Sequence, residues 1–150
     1  MNAITFGNVA KMYQYADSDI RTKVSQNYDK VSETQLHQFI RIIANCRNVC
    51  AHSERLYTFH SKVSGPDTVL HKKLGIAQKN GAYQKGKHDL FSVVIALRYL
   101  ISAEEFKTFK QQLTLLIMKV NAGCPHLPEK DLLDYMGFPY NWKKITSYKK

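Results

Sequence analysis

No apolar run in this 150-residue chain approaches the ~20 residues needed to cross a bilayer. The longest candidate, Leu113 to Val120, is much too short. The N-terminal residues, Met1 to Gly7, lack a basic region followed by an apolar core, so no secretory signal is expected there. There is no Gly-rich phosphate loop, no H-E-x-x-H pair and no nucleophile elbow. Aspartate and glutamate are scattered, and no carboxylate pair suggests a two-metal centre. Only three cysteines occur, Cys46, Cys50 and Cys124, and an odd count in a chain this size is no disulfide framework. Cys46 and Cys50 have the spacing of two metal ligands on a helix, but no matching second pair follows. Reduced, buried thiols are expected instead, with no metal and no other cofactor. A reducing, cytoplasmic setting is the natural inference.

The length fits one domain spanning 1–150. About 70% of the surface of an unfolded chain this size is buried on folding. Hydrophobic residues make up 44%, which is ordinary for a globular protein. The net charge of +10 attracts polyanions, with nucleic acid as the default partner.

Period-2 alternation is nowhere sustained, whereas helical spacing recurs, so the expected class is all-α. A first helix is expected from about Ala3 to Tyr15, with Ile4, Val9, Met12 and Tyr13 at loose helical spacing. A short second helix, capped by Asp17 or Ser18, runs to about Gln26. Ser32 and Gln35 form a capping box that opens a long central helix to about Phe59. On it, Leu36, Phe39, Ile43, Cys46, Cys50 and Tyr57 share the core face. His37, Arg41, Asn45, Asn48, His52 and Arg55 share the opposite, polar one. Residues from about 60 to 88 read as a long basic connection, punctuated by Gly65-Pro66, Gly75, Gly81 and Gly86 and charged by Lys72, Lys73, Lys79, Lys85 and Lys87. Leu70 to Gln78 has the composition for a helical turn. Asp89 caps a helix to about Leu100, and the Ser102/Glu105 box opens another to about Val120. A last short helix precedes Gly137-Phe138-Pro139 and an aromatic, basic tail whose Trp142 is expected to pack on the bundle.

One segment concentrates chemistry: Arg47-Asn48-Val49-Cys50-Ala51-His52-Ser53-Glu54-Arg55-Leu56-Tyr57. Asn48 and His52 are four apart and neighbours on one face, and Arg55 continues the stripe. Arg47 is five from His52, about 140° around a helix. A straight helix therefore does not aim Arg47 and His52 at one atom. They converge best at a groove edge where a second copy packs alongside, which makes a homodimer the expectation. Imidazole moves protons near neutral pH. A guanidinium stabilises charge developing on phosphorus through paired donors. RNA supplies its own nucleophile, the 2′-hydroxyl, so these groups suffice for cleavage without a metal. Against this stands the commonness of an R-x4-H string and the fact that a polar stripe is usually a solvated face. Arg41 and Arg55, with the Lys-rich connection and the basic tail, are the expected nucleic-acid contacts.

Here the chain resembles the abortive-infection (Abi) family of bacterial defence proteins, whose helix carries Arg-Asn-x-Cys-Ala-His, usually followed by Arg-Leu and an aromatic. This chain has Arg47-Asn48-Val49-Cys50-Ala51-His52, then Arg55-Leu56-Tyr57. The stretch Ile4 to Tyr13 is similar to the family's Phe-Gly helix, and Gly137-Phe138-Pro139-x-x-Trp142 to its closing motif. Two departures stand out. Family members usually have a substantial N-terminal half before the Phe-Gly motif, and Ser53 stands where the family often has a further histidine. The resemblance implies membership of the HEPN superfamily, an all-α bundle that pairs two R-x4-6-H helices across a dimer. It also implies cleavage of RNA in phage defence or as a toxin restrained by an antitoxin, itself protein or RNA. Carried over by residue, Arg47 and His52 are the catalytic pair, with Asn48 the polar residue beside Arg47 and Arg55 the arginine that follows. A non-catalytic module that binds nucleic acid or a partner protein is the alternative.

Overall fold

A computed structural model describes residues 5–150. Ala3 and Ile4, expected in the first helix, lie outside the described residues. Seven helices run through the described residues: α1 (Phe6–Tyr15), α2 (Ser18–Ser25), α3 (Glu33–Ala51), α4 (Val69–Lys73), α5 (Leu90–Leu100), α6 (Ala103–Gly123) and α7 (Glu129–Tyr135). Two 3₁₀ turns, Leu56–Thr58 and Trp142–Thr146, and a small antiparallel hairpin, β1 (Gln78–Lys79) with β2 (Ala82–Tyr83), complete them. The architecture is mostly helical, consistent with the all-α expectation. No helix among the described residues is long and apolar enough to cross a membrane.

Local chemistry sets the helix starts. Thr5 Oγ1 accepts the Asn8 N–H at 3.3 Å to open α1. The Ser32 hydroxyl accepts from Gln35 N–H, and the Gln35 side chain accepts from Ser32 N–H at 3.1 Å, so the first turn of α3 is closed at both donors. The Ser102/Glu105 pair does the same for α6. Asp89 caps α5 by accepting from Ser92 N–H at 3.1 Å.

Helix α3 is central, with α1 and α2 on one side and α5 on another, and α6 packs on α5. Leu36, Phe39 and Ile42 of α3 are buried with Phe91, Val94 and Ile95 of α5. Phe39 stacks on Tyr99 at 5.3 Å. The closing motif completes this core: Phe138 packs on Phe91, and Trp142, fully buried, meets Phe138 edge-on at 5.2 Å. Gly137 has φ +75°, and a Cβ there would overlap the Asp89 side chain, so only glycine lets the tail close over the start of α5.

The stretch 60–88, expected as a long connection, holds α4 and the hairpin and is packed. Leu70, Leu74 and Ile76 belong to the core, and His71 is fully buried. His71 Nδ1 accepts the Thr68 N–H at 3.2 Å, so the ring proton sits on Nε2, which donates to the Gly86 carbonyl at 3.1 Å. Burial lowers the His71 pKa, against the Gly86 carbonyl, which favours the charged form. Burial also pushes the Asp89 carboxyl up to about 6, opposed by the backbone N–H groups of Gly86 and Ser92 that it accepts.

Candidate active site

The site rests on how α3 ends. The helix does not reach Phe59; it stops at Ala51, and His52 is its C-cap, with φ −94° and ψ 10°. The expectation that Arg47 to His52 lie inside the longest helix is therefore corrected on two counts, since α6 is also the longer helix. Ser53 takes φ +54°. Its N–H donates to the Cys50 carbonyl at 3.3 Å, and Glu54 N–H to the Val49 carbonyl at 3.1 Å. These are the two bonds of a Schellman closure, in which the left-handed position is normally glycine. A serine there is not recognisable as a stop in the sequence, which is why the helical pattern seemed to continue.

The closure turns the chain outward. From Arg47 to Thr58 every residue except Val49 is exposed. Cys50 and Tyr57, expected on the core face, are exposed: Cys50 lies in the last turn of α3 with no element packed over it, and Tyr57 lies beyond the helix end. Ile43 and Cys46 are half-buried, and Ile42 takes the fully buried position instead. The thiol expectation changes accordingly: Cys50 and Cys124 are exposed. Burial and the neighbouring Cys50 push the Cys46 thiol up to about 12.

Arg47 and Asn48 are joined directly: Arg47 Nη1 donates to Asn48 Oδ1 at 3.4 Å. His52 is held by its backbone, whose N–H donates to the Asn48 carbonyl at 3.0 Å, while its side chain is exposed. Because that bond is the i to i−4 bond of a helix, the ideal spacing of about 140° between Arg47 and His52 around the axis still applies. The chain thus presents an arginine paired with an asparagine on one side and an imidazole on another.

The polar face divides. Arg41, Asn48 and His52 are exposed, and Arg55 stands just before the 3₁₀ turn, its carbonyl accepting from Thr58 Oγ1 at 3.1 Å. Asn45 is tied down, donating to Ser61 Oγ at 3.1 Å. His37 is half-buried near the Tyr13 ring, and its pKa is lowered by burial and then by Arg41 and Arg21. These two are structural members of the stripe. Beside the segment, Leu56 and Tyr57 border an apolar groove of about 260 Å³ with Leu113, Leu116, Val120 and Met136.

A second histidine pair escaped the sequence reading. His60 and His88, 28 positions apart, stack at 5.3 Å, and His88 Nδ1 lies 2.8 Å from the Ser61 carbonyl. Nothing in their local sequence signals that meeting. No group of three or more His, Cys, Asp or Glu suited to a metal occurs among the described residues.

Comparison with known proteins returned no matching curated protein and no matching solved structure. Over residues 1–58, which contain Arg41, Arg47, Asn48, His52 and Arg55, the chain matches the family described as Abi-like protein.

Proposed function

We propose that this protein is a metal-independent endoribonuclease of HEPN type, acting in abortive infection or as the toxin of a toxin–antitoxin pair. The observation that carries the reading is the exposed cluster of Arg47, Asn48 and His52 at the end of α3, inside the stretch similar to Abi-like proteins. The RNA 2′-hydroxyl attacks the adjacent phosphorus, leaving a 2′,3′-cyclic phosphate and a 5′-hydroxyl. His52 transfers the protons and Arg47 holds the phosphate, its guanidinium oriented by Asn48. Because Arg47 and His52 diverge on one chain, the working site is a homodimer in which two α3 ends face each other near His52. Arg41 and Arg55 flank the site and hold neighbouring phosphates.

The divergence itself favours a second reading, a non-catalytic module that binds nucleic acid or a partner protein. One assay separates the two. Wild type and His52→Ala are incubated with total RNA in EDTA, and the ends of the products are analysed. Cleavage by wild type alone, with cyclic phosphate ends, is expected. A requirement for Mg²⁺, 5′-phosphate ends, or equal activity of both proteins overturns the nuclease reading.

A further inference from the structure

The fold gathers lysines that are far apart in sequence. Lys30 precedes α3, Lys72 and Lys73 end α4, and Lys149 and Lys150 close the tail, yet all five line one groove of about 690 Å³. Together they carry half of the chain's net charge of +10. Among the described residues the ion pairs go to Arg21, Lys85, Lys87 and Lys143, and to none of these five. Asp67, the one acidic side chain on the groove wall, is bound by Lys87. Three of the lysines are positioned by main-chain oxygens: Lys30 Nζ donates to Lys150 O at 3.1 Å, Lys73 Nζ to the Lys149 carbonyl at 2.7 Å and Lys150 Nζ to the Tyr99 carbonyl at 3.3 Å. The neutral carbonyls of Lys149 and Tyr99 place Lys73 and Lys150 without cancelling their charge.

A concave surface of one sign concentrates counter-charge. Lysines are compact point charges, without the planar fork that selects a single carboxylate or phosphate. Five spread along a groove therefore suit a repeating anion. Both aromatic rings on the wall are already engaged, Tyr83 stacked on His71 at 4.7 Å and Tyr99 on Phe39 at 5.3 Å, so the groove offers charge more than base stacking. That is the pattern of backbone contact without sequence reading.

Gln35 of α3 lines the groove, and His52 lies 17 residues further along. At 1.5 Å per residue the two are roughly 25 Å apart. At 3.4 Å per stacked nucleotide that is about seven nucleotides. We infer that the five-lysine groove at the far end of α3 binds the phosphodiester backbone of single-stranded RNA, about seven nucleotides from the bond cut at Arg47 and His52. The cutting half rests on the nuclease reading; the binding half does not. Substrates too short to reach the groove bind weakly, and single-stranded DNA binds it as RNA does while remaining uncut.

The test uses the full chain carrying His52→Ala and a fluorescein-labelled 20-nucleotide RNA, with anisotropy read between 50 and 200 mM salt. In that background Lys30, Lys72, Lys73 and Lys149, all exposed, are changed to Gln. A control of equal charge changes Lys11, Lys23, Lys119 and Lys130, all exposed, to Gln. Each backbone contact contributes about 0.7 to the salt slope for single strands. The groove variant should lose about 3 from the slope, so the parent loses roughly 50-fold more affinity over that salt range than the variant does. The control variant should keep the parent slope. Equal losses in both variants, or an unchanged slope in the groove variant, overturn the inference. Should the quadruple variant melt early, Lys72→Glu, which holds no tail carbonyl, is compared with Lys11→Glu, and equal affinities would again overturn it. When wild type is assayed for cleavage alongside, RNA left uncut by wild type with groove-dependent binding ends the nuclease reading alone; cleavage by wild type with groove-independent binding ends the groove alone.

Discussion

The segments 47–58 and 61–89 reverse what their sequences suggest. The first carries apolar residues at helical spacing, yet it lies almost wholly at the surface. The second is rich in glycine and lysine, yet it buries Leu70, His71, Leu74 and Ile76. Bonds between residues far apart in sequence make the difference. The Gly86 carbonyl receives His71, and Asn141 Nδ2 donates to the Leu74 carbonyl at 3.1 Å. No comparable long-range bond holds the side chains of Arg47 or His52 among the described residues. A segment's place in the core is thus decided by who satisfies its polar groups, and function is better accommodated where nobody does.

The sharpest way to break this comparison is to truncate one core residue of the basic segment. Leu70→Ala should cost about 2–5 kcal/mol, because the side chain is fully buried. A denaturant titration showing less than ~1 kcal/mol would mean that 61–89 is a loop after all. Next in size is Arg47→Lys. It should reduce RNA cleavage by roughly 10²-fold, since a point charge replaces a fork of donors. It should leave the melting temperature where it was, since Arg47 is exposed and its side chain bonds only Asn48. Joint loss of stability and activity would reassign Arg47 to the fold.

The third test uses pH. His71, and His37 with it, has a folded pKa below its ordinary value. The unfolded chain therefore takes up these protons first as pH falls through ~6.5. Stability present above that pH is lost as pH falls toward the folded values. Asp89, raised to about 6, works in the opposite sense, favouring the folded chain as it protonates between ~4 and 6. Melting temperature should thus drop from pH 7.5 to 6, with the His71 ring titrating by NMR below the ordinary histidine range. A His71 that titrates at or above that range would contradict its buried geometry.

The smallest expected effect is Ser53→Gly. Relieving a left-handed serine should raise stability by up to ~1 kcal/mol. It should leave His52 in place, so cleavage persists. A lowered melting temperature would show that Ser53 contributes something besides its backbone.

What could be read in advance divides along the same line. The capping boxes at Ser32 and Ser102 and the cap at Asp89 were legible because donor and acceptor sit three residues apart. Leu36 and Phe39 followed from helical period alone. The end of α3 was not legible, since serine gives no sign of adopting φ +54°. Nor was the packing of His71, whose partner is fifteen residues away. For the candidate site, the cluster of residue types stood out in the sequence. Its exposure depended on the closure at Ser53, and the lysine groove on where the tail lands.

That landing has a consequence for synthesis. Phe138, Trp142 and Ile145 are fully buried against elements made some fifty residues earlier. A nascent chain that has delivered α1 to α6 still exposes the seat of Trp142, with the N-terminal turn of α5 uncovered. The helices can form as they emerge, but the core cannot close until residue 145 has cleared the ribosome. The exposed segment 47–58 is translated long before that moment, and its geometry stays provisional until the last aromatic arrives.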